Sequence, residues 1–597
     1  MATEDTVQLG AGAGHPTGFW FFFWGEFAER CSYYGMRAIL ALYMTEKLGV
    51  DKADAGTFMS LFIAACYFFP LIGGYLADNY FGKYWTIVGF SVPYVVAQFI
   101  VGIENQYVVF GALALLAMGS GVIKPNISTL MGLTYDQQRP GQNQLRTSAF
   151  SWFYMAINIG AALSQFTMPW LRTNYGYQTA FLFPAGLMAL ALIIFAFGKR
   201  FYAQERIVRK VVGDAQTGTP ASGRTVTGLP VTYQVVTPEE KAADAELKRQ
   251  TLLRIGLVFL TVMFFWAIFD QAASTWIFFA DTYMDCTLFG LPTPADMIQG
   301  FNPVFIVLLV PVSVWLFKTL EASGRKVRAT QKMAVGFVLT GVAMAIMSAA
   351  GFLAGKKQDA IKVTTPEGAL VLPMWADVKL ADVKPADGTT VYAGTGVRVG
   401  ATDWEFDDKK KKLTFASGKI VLADGREIAV ANGHMATTGV PDATGLTAGG
   451  VLEPLLKSGD DLAKVKPDPD KATVEVVDWV KPAERVTVWW QVFAYLILTV
   501  AEILISVTGL ELAFVAAPPS MKSFVTACWL AVVFLANLLI NAPITRLYPL
   551  MEPGVYFAML GVAMVVVVIV FIPIAAKFNR SMAATTGQIK EGDTEVV

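Results

Sequence analysis

Histidine is almost missing from this sequence: His15 and His434 are the only two in 597 residues, one close to the N-terminus and one in a polar stretch late in the chain. Histidine is the side chain that titrates nearest neutral pH, so a proton relay within the apolar part of this chain has to rest on carboxylates. Cysteine is nearly as scarce. Cys31, Cys66, Cys286 and Cys528 fall in or beside apolar runs without ligand spacing, which implies neither a metal site nor a disulfide framework. Charge is thin as well, at 16% of residues, and the 47 basic and 47 acidic side chains cancel; with no basic arm, nucleic acid is not an expected partner. No nucleophile stands with a base and no phosphate-binding loop occurs, so an enzyme is the reading least expected. The opening MATEDTVQLGAGAGHPTG lacks the basic region and cleavage site of a secretory signal. The first apolar helix is then expected to act as its own insertion signal.

Apolar residues are what the chain has in excess, 54% of the total with 13% aromatic. About 20 apolar residues are needed to cross the hydrocarbon core of a bilayer. Such windows occur near 18–45, 53–78, 84–103, 107–131, 148–170, 178–199, 252–282, 299–321, 330–354, 488–515, 522–546 and 554–577, twelve in two sets of six. The expectation is an all-α membrane protein in the lipid bilayer, with bundles at 18–199 and at 251–355 plus 487–577, and tails at 1–17 and 578–597. The polar linker 200–250 opens with Lys199, Arg200, Arg206, Arg209 and Lys210 and closes with Lys248, Arg249 and Arg254, which marks the cytoplasmic side and places both termini there. Thr237-Pro-Glu-Glu240 has a capping-box start, so a short surface helix bridging the halves is expected. From 356 to 486 the chain turns polar, with alternating runs at 360–363, 390–392, 413–415 and 473–477 separated by turn signals; a small extracytoplasmic β-sandwich without cysteines is expected. What that domain binds is not written in the pattern. It lacks Asn-x-Ser/Thr sites, which leans toward a bacterial inner membrane rather than a eukaryotic plasma membrane.

Within the first window stands EFAERCSYYG. Charges at bilayer depth cost a few kcal/mol unless they face a partner or a watery cavity. At 100° per residue Glu26, Arg30, Tyr33 and Arg37 share one stripe with Glu29 beside it, so this face points inward. Other windows repeat the pattern with Lys124, Asn158, Asp270, Asn302, Glu502 and Glu511, and Lys124 precedes Pro125, where a locally broken backbone is expected.

With EFAERCSYYG, GGYLADNYFGK, GVIKPNIS, FYMAINIG, QGFNPVFIVLLVP and AEILISVTGLELAFVAAPPSMKS in this order, the chain resembles the proton-dependent oligopeptide transporter family (POT, or PTR) of the major facilitator superfamily. The tenth window is similar to animal members, which also carry a β-rich outer domain between spans nine and ten. The resemblance implies the major facilitator fold, twelve spans in two bundles, and import of di- and tripeptides with protons and no other cofactor. It implies that Glu26, Glu29 and Arg30, with Lys124, link protonation to binding of the peptide carboxylate, that Arg37 pairs with Asp270 to close an outer gate, and that Glu502 receives the peptide amino group. Asp270 and Glu502 are thereby also coupling candidates. Tyr33, Tyr34, Arg37, Tyr67, Tyr154, Asn158, Trp276, Asn302 and Trp529 match or neighbour pocket-lining positions. Cys31 stands where the family has Phe, Ser60 where animal members have a histidine, and Asp270 where Glu is commoner. The rival readings are a family relative importing nitrate or another small anion, which has no use for Glu502, and a nutrient receptor whose outer domain is the working part.

Overall fold

The structure, a computed structural model, describes residues 14–212, 223–325, 327–365, 368–373, 390–393, 398–407, 412–421, 427–436, 453–454, 473–480, 482–509, 512 and 522–590. Its contacts divide the chain into two units, one of residues 1–281, 286–352 and 487–597 and the other of 282–285 and 353–486.

The first unit is helical. Among the described residues, nine helices are long and apolar enough to cross a membrane. One of them, Asn143–Phe201, has 59 residues, about 88 Å at 1.5 Å per residue, nearly three times the hydrocarbon thickness. Gly176, at φ 83° and ψ 169°, bends it into two spans, a backbone setting that suits glycine. Two further helices complete twelve: α1 (Thr17–Glu46), which carries more charges than any helix of that set tolerates in its apolar window, and α3 (Lys83–Ile100). Between them runs α2 (Lys52–Leu76), and after them α4 (Gln106–Gln138) and the bent α5 (Asn143–Phe197). Polar residues begin these helices where apolar runs start. Asp51 accepts from the Asp54 N–H at 2.9 Å, and Asn105 Oδ1 accepts from the Tyr107 and Val108 N–H groups.

The second bundle comprises α6 (Pro238–Phe269), α7 (Thr275–Tyr283), α8 (Phe301–Ala322), α9 (Ala329–Leu353), α10 (Trp489–Glu502), α11 (Lys522–Leu535) and α12 (Pro553–Lys590). Three expectations need correction. The linker helix is not a separate bridge: the Thr237–Glu240 capping box forms, but neither Gly nor Pro stands between Pro238 and Gly256, and the helix continues into the seventh span. Replacing Thr237 by Ala should cost about 1 kcal/mol and speed exchange of the 239–241 amides about fivefold. The last helix runs to Lys590, past the expected start of a tail at 578. The third concerns Pro125. α4 passes through it unbroken: the Ser128 and Thr129 hydroxyls donate to the Pro125 carbonyl at 3.1 and 2.7 Å, and Asn126 Nδ2 donates to the Val122 and Gly73 carbonyls. The proline lacks the N–H that the Gly121 carbonyl would accept, and α4 tolerates that single loss while side chains tie its flanking turns together and to the neighbouring helix.

The linker holds a small sheet that periodicity does not announce, with Ile207–Val212 parallel to Pro230–Val236 and Gly223–Arg224 antiparallel to it. In the second unit the runs expected as strands lie within strands 358–365, 390–393, 412–421 and 473–479. They belong to two four-stranded sheets, one of 390–393, 398–407, 412–421 and 427–436, the other of 358–365, 368–373, 453–454 and 473–479. The turn signals at 387–388, 424–425 and 467–469, most of the DDKKKK run, and Glu511 lie outside the described residues.

Candidate functional site

α1 carries its charges inward. Glu26, Glu29 and Arg30 are each at most 2% exposed, where unpaired charge is prohibitive. Arg30 Nε stands 3.1 Å from Glu26 Oε1, Arg30 also pairs with Glu29, and Ser120 on α4 donates to Glu29 Oε1 at 2.7 Å. The i,i+4 spacing of Glu26 and Arg30 brings the first pair together on one helix face. Arg30 lies 5.6 Å from the Tyr33 ring centroid, and Lys124 Nζ 4.8 Å from that of Tyr67. Among the described residues Lys124 makes no ion pair and no hydrogen bond.

Across from this group, Glu502 ends α10 and accepts from Asn302 Nδ2 at 2.8 Å; the same amide reaches Thr499 Oγ1 at 3.0 Å. Two tyrosines link the halves. Tyr34 lies within electrostatic range of Lys124, Arg30 and Arg37, and Tyr154 within range of both Glu502 and Tyr34. Asn158 turns its amide to the Tyr154 carbonyl at 2.9 Å. Cationic residues of the first bundle and a carboxylate of the second are thus each within range of the Tyr34 and Tyr154 rings.

Asp270 marks a break in the seventh span. α6 stops at Phe269, residues 270–273 form a tight turn, Ser274 leaves helical geometry at φ −139° and ψ −82°, and α7 begins at Thr275. Arg37 Nη2 meets Asp270 Oδ1 at 2.7 Å, so the shorter side chain still spans the gap, and Asn537 Nδ2 holds Oδ2 at 2.7 Å. π-helical turns follow Glu502, over 503–507, and contain Asn537, over 536–541. Such turns gather at functional sites because they redirect side chains without ending a helix. The backbone irregularities thus lie at Asp270, Glu502 and Asn537, not at Lys124.

Not every pocket candidate faces the same region. Trp276 is fully buried against Tyr495, ring centroids 4.7 Å apart, and Trp529 packs edge-on to Phe259. Ser60 donates to its own helix at Gly56, and the Cys31 thiol to the Gly160 carbonyl. Sequence reasoning missed Ser120, Asn537 and a second pair between the bundles: Arg172 on α5 meets Asp296, just before α8, at 3.0 Å. The available signal was the same as for the residues found, a lone charge or amide in an apolar run. Bonds between the bundles cluster at the end remote from the linker, where Gln299 also donates to the Ala38 carbonyl and Arg546 meets Asp54 at 2.7 Å.

A family model described as the POT family matches residues 84–437 and 468–552. The chain is 29% identical to Peptide transporter 3 of Caenorhabditis elegans, over 96% of its own length and 95% of the relative's. It is 28% identical to Peptide transporter family 1 of Drosophila melanogaster over 90% and 84%, and 33% identical to Solute carrier family 15 member 1 of Homo sapiens over 56% and 51%. Among solved structures, the POT family transporter PepTSo superposes with a TM-score of 0.62 at 21% identity, covering 95% of this chain and 99% of that one. A peptide transporter POT in complex with sulfate superposes at 0.61 with 21% identity, over 95% and 96%; at such identities the likeness carries the fold. Twelve spans in two bundles, a charged first helix and a match over most of its length place this chain in the POT family.

Proposed function

We infer that the protein is a multi-pass membrane symporter that imports di- and tripeptides with protons by alternating access of its two bundles. The observation that carries this reading is the pair of opposite poles: Arg30 and Lys124 on one side, Glu502 held by Asn302 on the other. A zwitterionic peptide has a carboxylate for the first, an ammonium for the second, and a backbone for the amides between. A small anion has no use for Glu502.

The charges also supply coupling. Glu26 and Glu29 with Arg30 and Lys124 sum to a formal charge of zero. Protonating either carboxylate leaves one positive charge in excess, and a peptide carboxylate then neutralises it. Proton and peptide each favour the other's binding, and by reciprocity the coupling free energy is the same in both directions. Inward import assigns the linker and both termini to the cytoplasm, in accord with the basic linker flanks. The clustered inter-bundle bonds then lie at the outer end, which they hold shut.

Uptake of a labelled dipeptide into proteoliposomes tests the reading. Accumulation under an acid-outside gradient, competed by tripeptides and not by nitrate, is expected; nitrate competition without a peptide effect overturns it. Replacing Arg172 by Gln strands Asp296, which is 0% exposed. Breaking such a buried pair costs the latched state about 3–5 kcal/mol. Spin labels at the exposed positions Tyr107 and Leu550 should then report a longer distance across the outer end.

A further inference from the structure

The gate pair of Arg37 and Asp270 is one end of a longer polar chain. Asn537 Nδ2 donates to Asp270 Oδ2 at 2.7 Å, Asn541 Nδ2 to Asn537 Oδ1 at 2.8 Å, and Gln271 Nε2 to Asn541 Oδ1 at 2.6 Å. The Thr275 and Tyr556 hydroxyls close it, donating to Gln271 Oε1 at 2.6 and 2.8 Å. All six residues of the chain are at most 3% exposed. Every donor points toward the carboxylate. That direction is imposed from the charged end, because an ionised carboxylate only accepts, and an amide turned end for end would set oxygen against oxygen. The three amides therefore behave as one unit: none can turn alone without leaving buried partners unmade, a loss that a slip between apolar side chains does not incur.

Halfway along, the chain meets a second seam between the bundles. Asn541 ends the π-helical turn 536–541, and the next residue, Ala542, offers its carbonyl to the Thr57 hydroxyl of α2 at 3.3 Å. One turn on, Thr545 lies so close to α2 that a Cβ on Gly56 would stand 3.0 Å from its own, and Arg546 meets Asp54 at 2.7 Å. The gate pair joins α1 to the seventh span, whereas these contacts join α2 to the segment after α11. We propose that Gln271, Asn537 and Asn541 are positioning residues of the outer gate, which bind its two seams into one so that they part together. The proposal rests on the reading that these bonds hold the outer end shut during alternating access. A hydrogen-bonded chain suits the task because its bonds are either made or broken, and coupling between distant contacts needs such discrete states. When α2 withdraws, residues 542–546 are released and Asn541 moves with them. Asn537 is then drawn from Asp270, whose hold on Arg37 loosens. The coupling runs equally in reverse.

A wedge at one seam, read at the other, tests this in the full chain. Gly56→Val pushes on Thr545 and should open the α2 seam. Spin labels at Tyr107 and Leu550 follow that seam, since the start of α4 packs on α2 through Phe110 and Phe58, ring centroids 4.4 Å apart. Labels at the exposed Lys47, at the end of α1, and Leu291, beyond α7, follow the gate pair. With the amide chain intact, the wedge should shift the open-to-closed ratio at Lys47–Leu291 about 5- to 150-fold, the ordinary range of coupling between sites. With Asn541→Leu or Gln271→Leu that shift should vanish while the one at Tyr107–Leu550 remains, a difference that a merely structural role would not produce. A wedge that moves only its own seam in the otherwise unmodified chain overturns the proposal, and this arm needs neither amide variant to fold. An Asn541→Leu protein whose seams still move together overturns it as well. If neither distance in the unwedged parent responds to dipeptide and acid, alternating access itself falls, and this proposal with it.

Discussion

Replacing Glu502 by Gln is expected to abolish concentrative uptake of peptides with a free amino terminus while leaving the fold intact. The substitution is nearly isosteric, and Asn302 Nδ2, which donates to Oε2 at 2.8 Å, can donate to the new amide oxygen. The rest of the local frame does not involve the carboxylate: Thr499 Oγ1 donates to the Tyr495 carbonyl, and Tyr495 Oη to that of Ala272. Only charge is lost. A bound ammonium then has a neutral amide opposite it, and removing one member of a buried charged pair costs about 2–5 kcal/mol. Since 1.4 kcal/mol is tenfold, affinity should drop about 30- to 4,000-fold. Isothermal titration with a dipeptide and with its N-acetylated form separates the cases: the parent should prefer the free amine, the variant neither. A variant that keeps the preference removes Glu502 from the anionic pole.

The two poles differ in how far the sequence revealed them. Spans were legible because a bilayer demands long apolar runs, and EFAERCSYYG stood out because its three charges, with Arg37 just beyond, need a reason in such a run. The same rule applied with less force found Asp270 and Glu502. It did not reveal what surrounds them. The turn at 270–274 contains neither Gly nor Pro, so nothing local marks the break; tertiary hydrogen bonds from Arg37 and Asn537 compensate it. Asn537 and Asn541, one turn apart, form a buried chain with Gln271 that reads in sequence as two scattered amides. Pro125 misled in the opposite sense: it is the strongest helix breaker in α4, yet the helix continues through it, forgoing the bond to the Gly121 carbonyl while Asn126 ties the next turn to the Gly73 carbonyl of α2. Local rules thus succeeded where lipid sets the constraint and failed where a distant partner does.

Replacing Lys124 by Ala should separate proton movement from peptide movement. Lys124 makes no ion pair among the described residues and sits 4.8 Å over the Tyr67 ring, so its removal strands no carboxylate and the helix should hold. The effect lies in the sum of charges. In the parent, protonation takes the group of Glu26, Glu29, Arg30 and Lys124 from zero to +1; in the variant it goes from −1 to zero, and no excess positive charge awaits the peptide carboxylate. Each proton entering down 100 mV contributes about 2.3 kcal/mol, enough to sustain about 40-fold accumulation in the parent for each coupled proton. The variant should approach equal concentrations on both sides while retaining part of its counterflow exchange, because Arg30 still offers a cation to the peptide. Lys124→Arg keeps the charge and should restore some accumulation, which a purely steric role would not predict. Undiminished gradient-driven accumulation in Lys124→Ala would mean that the α1 carboxylates and Arg30 couple proton to peptide on their own.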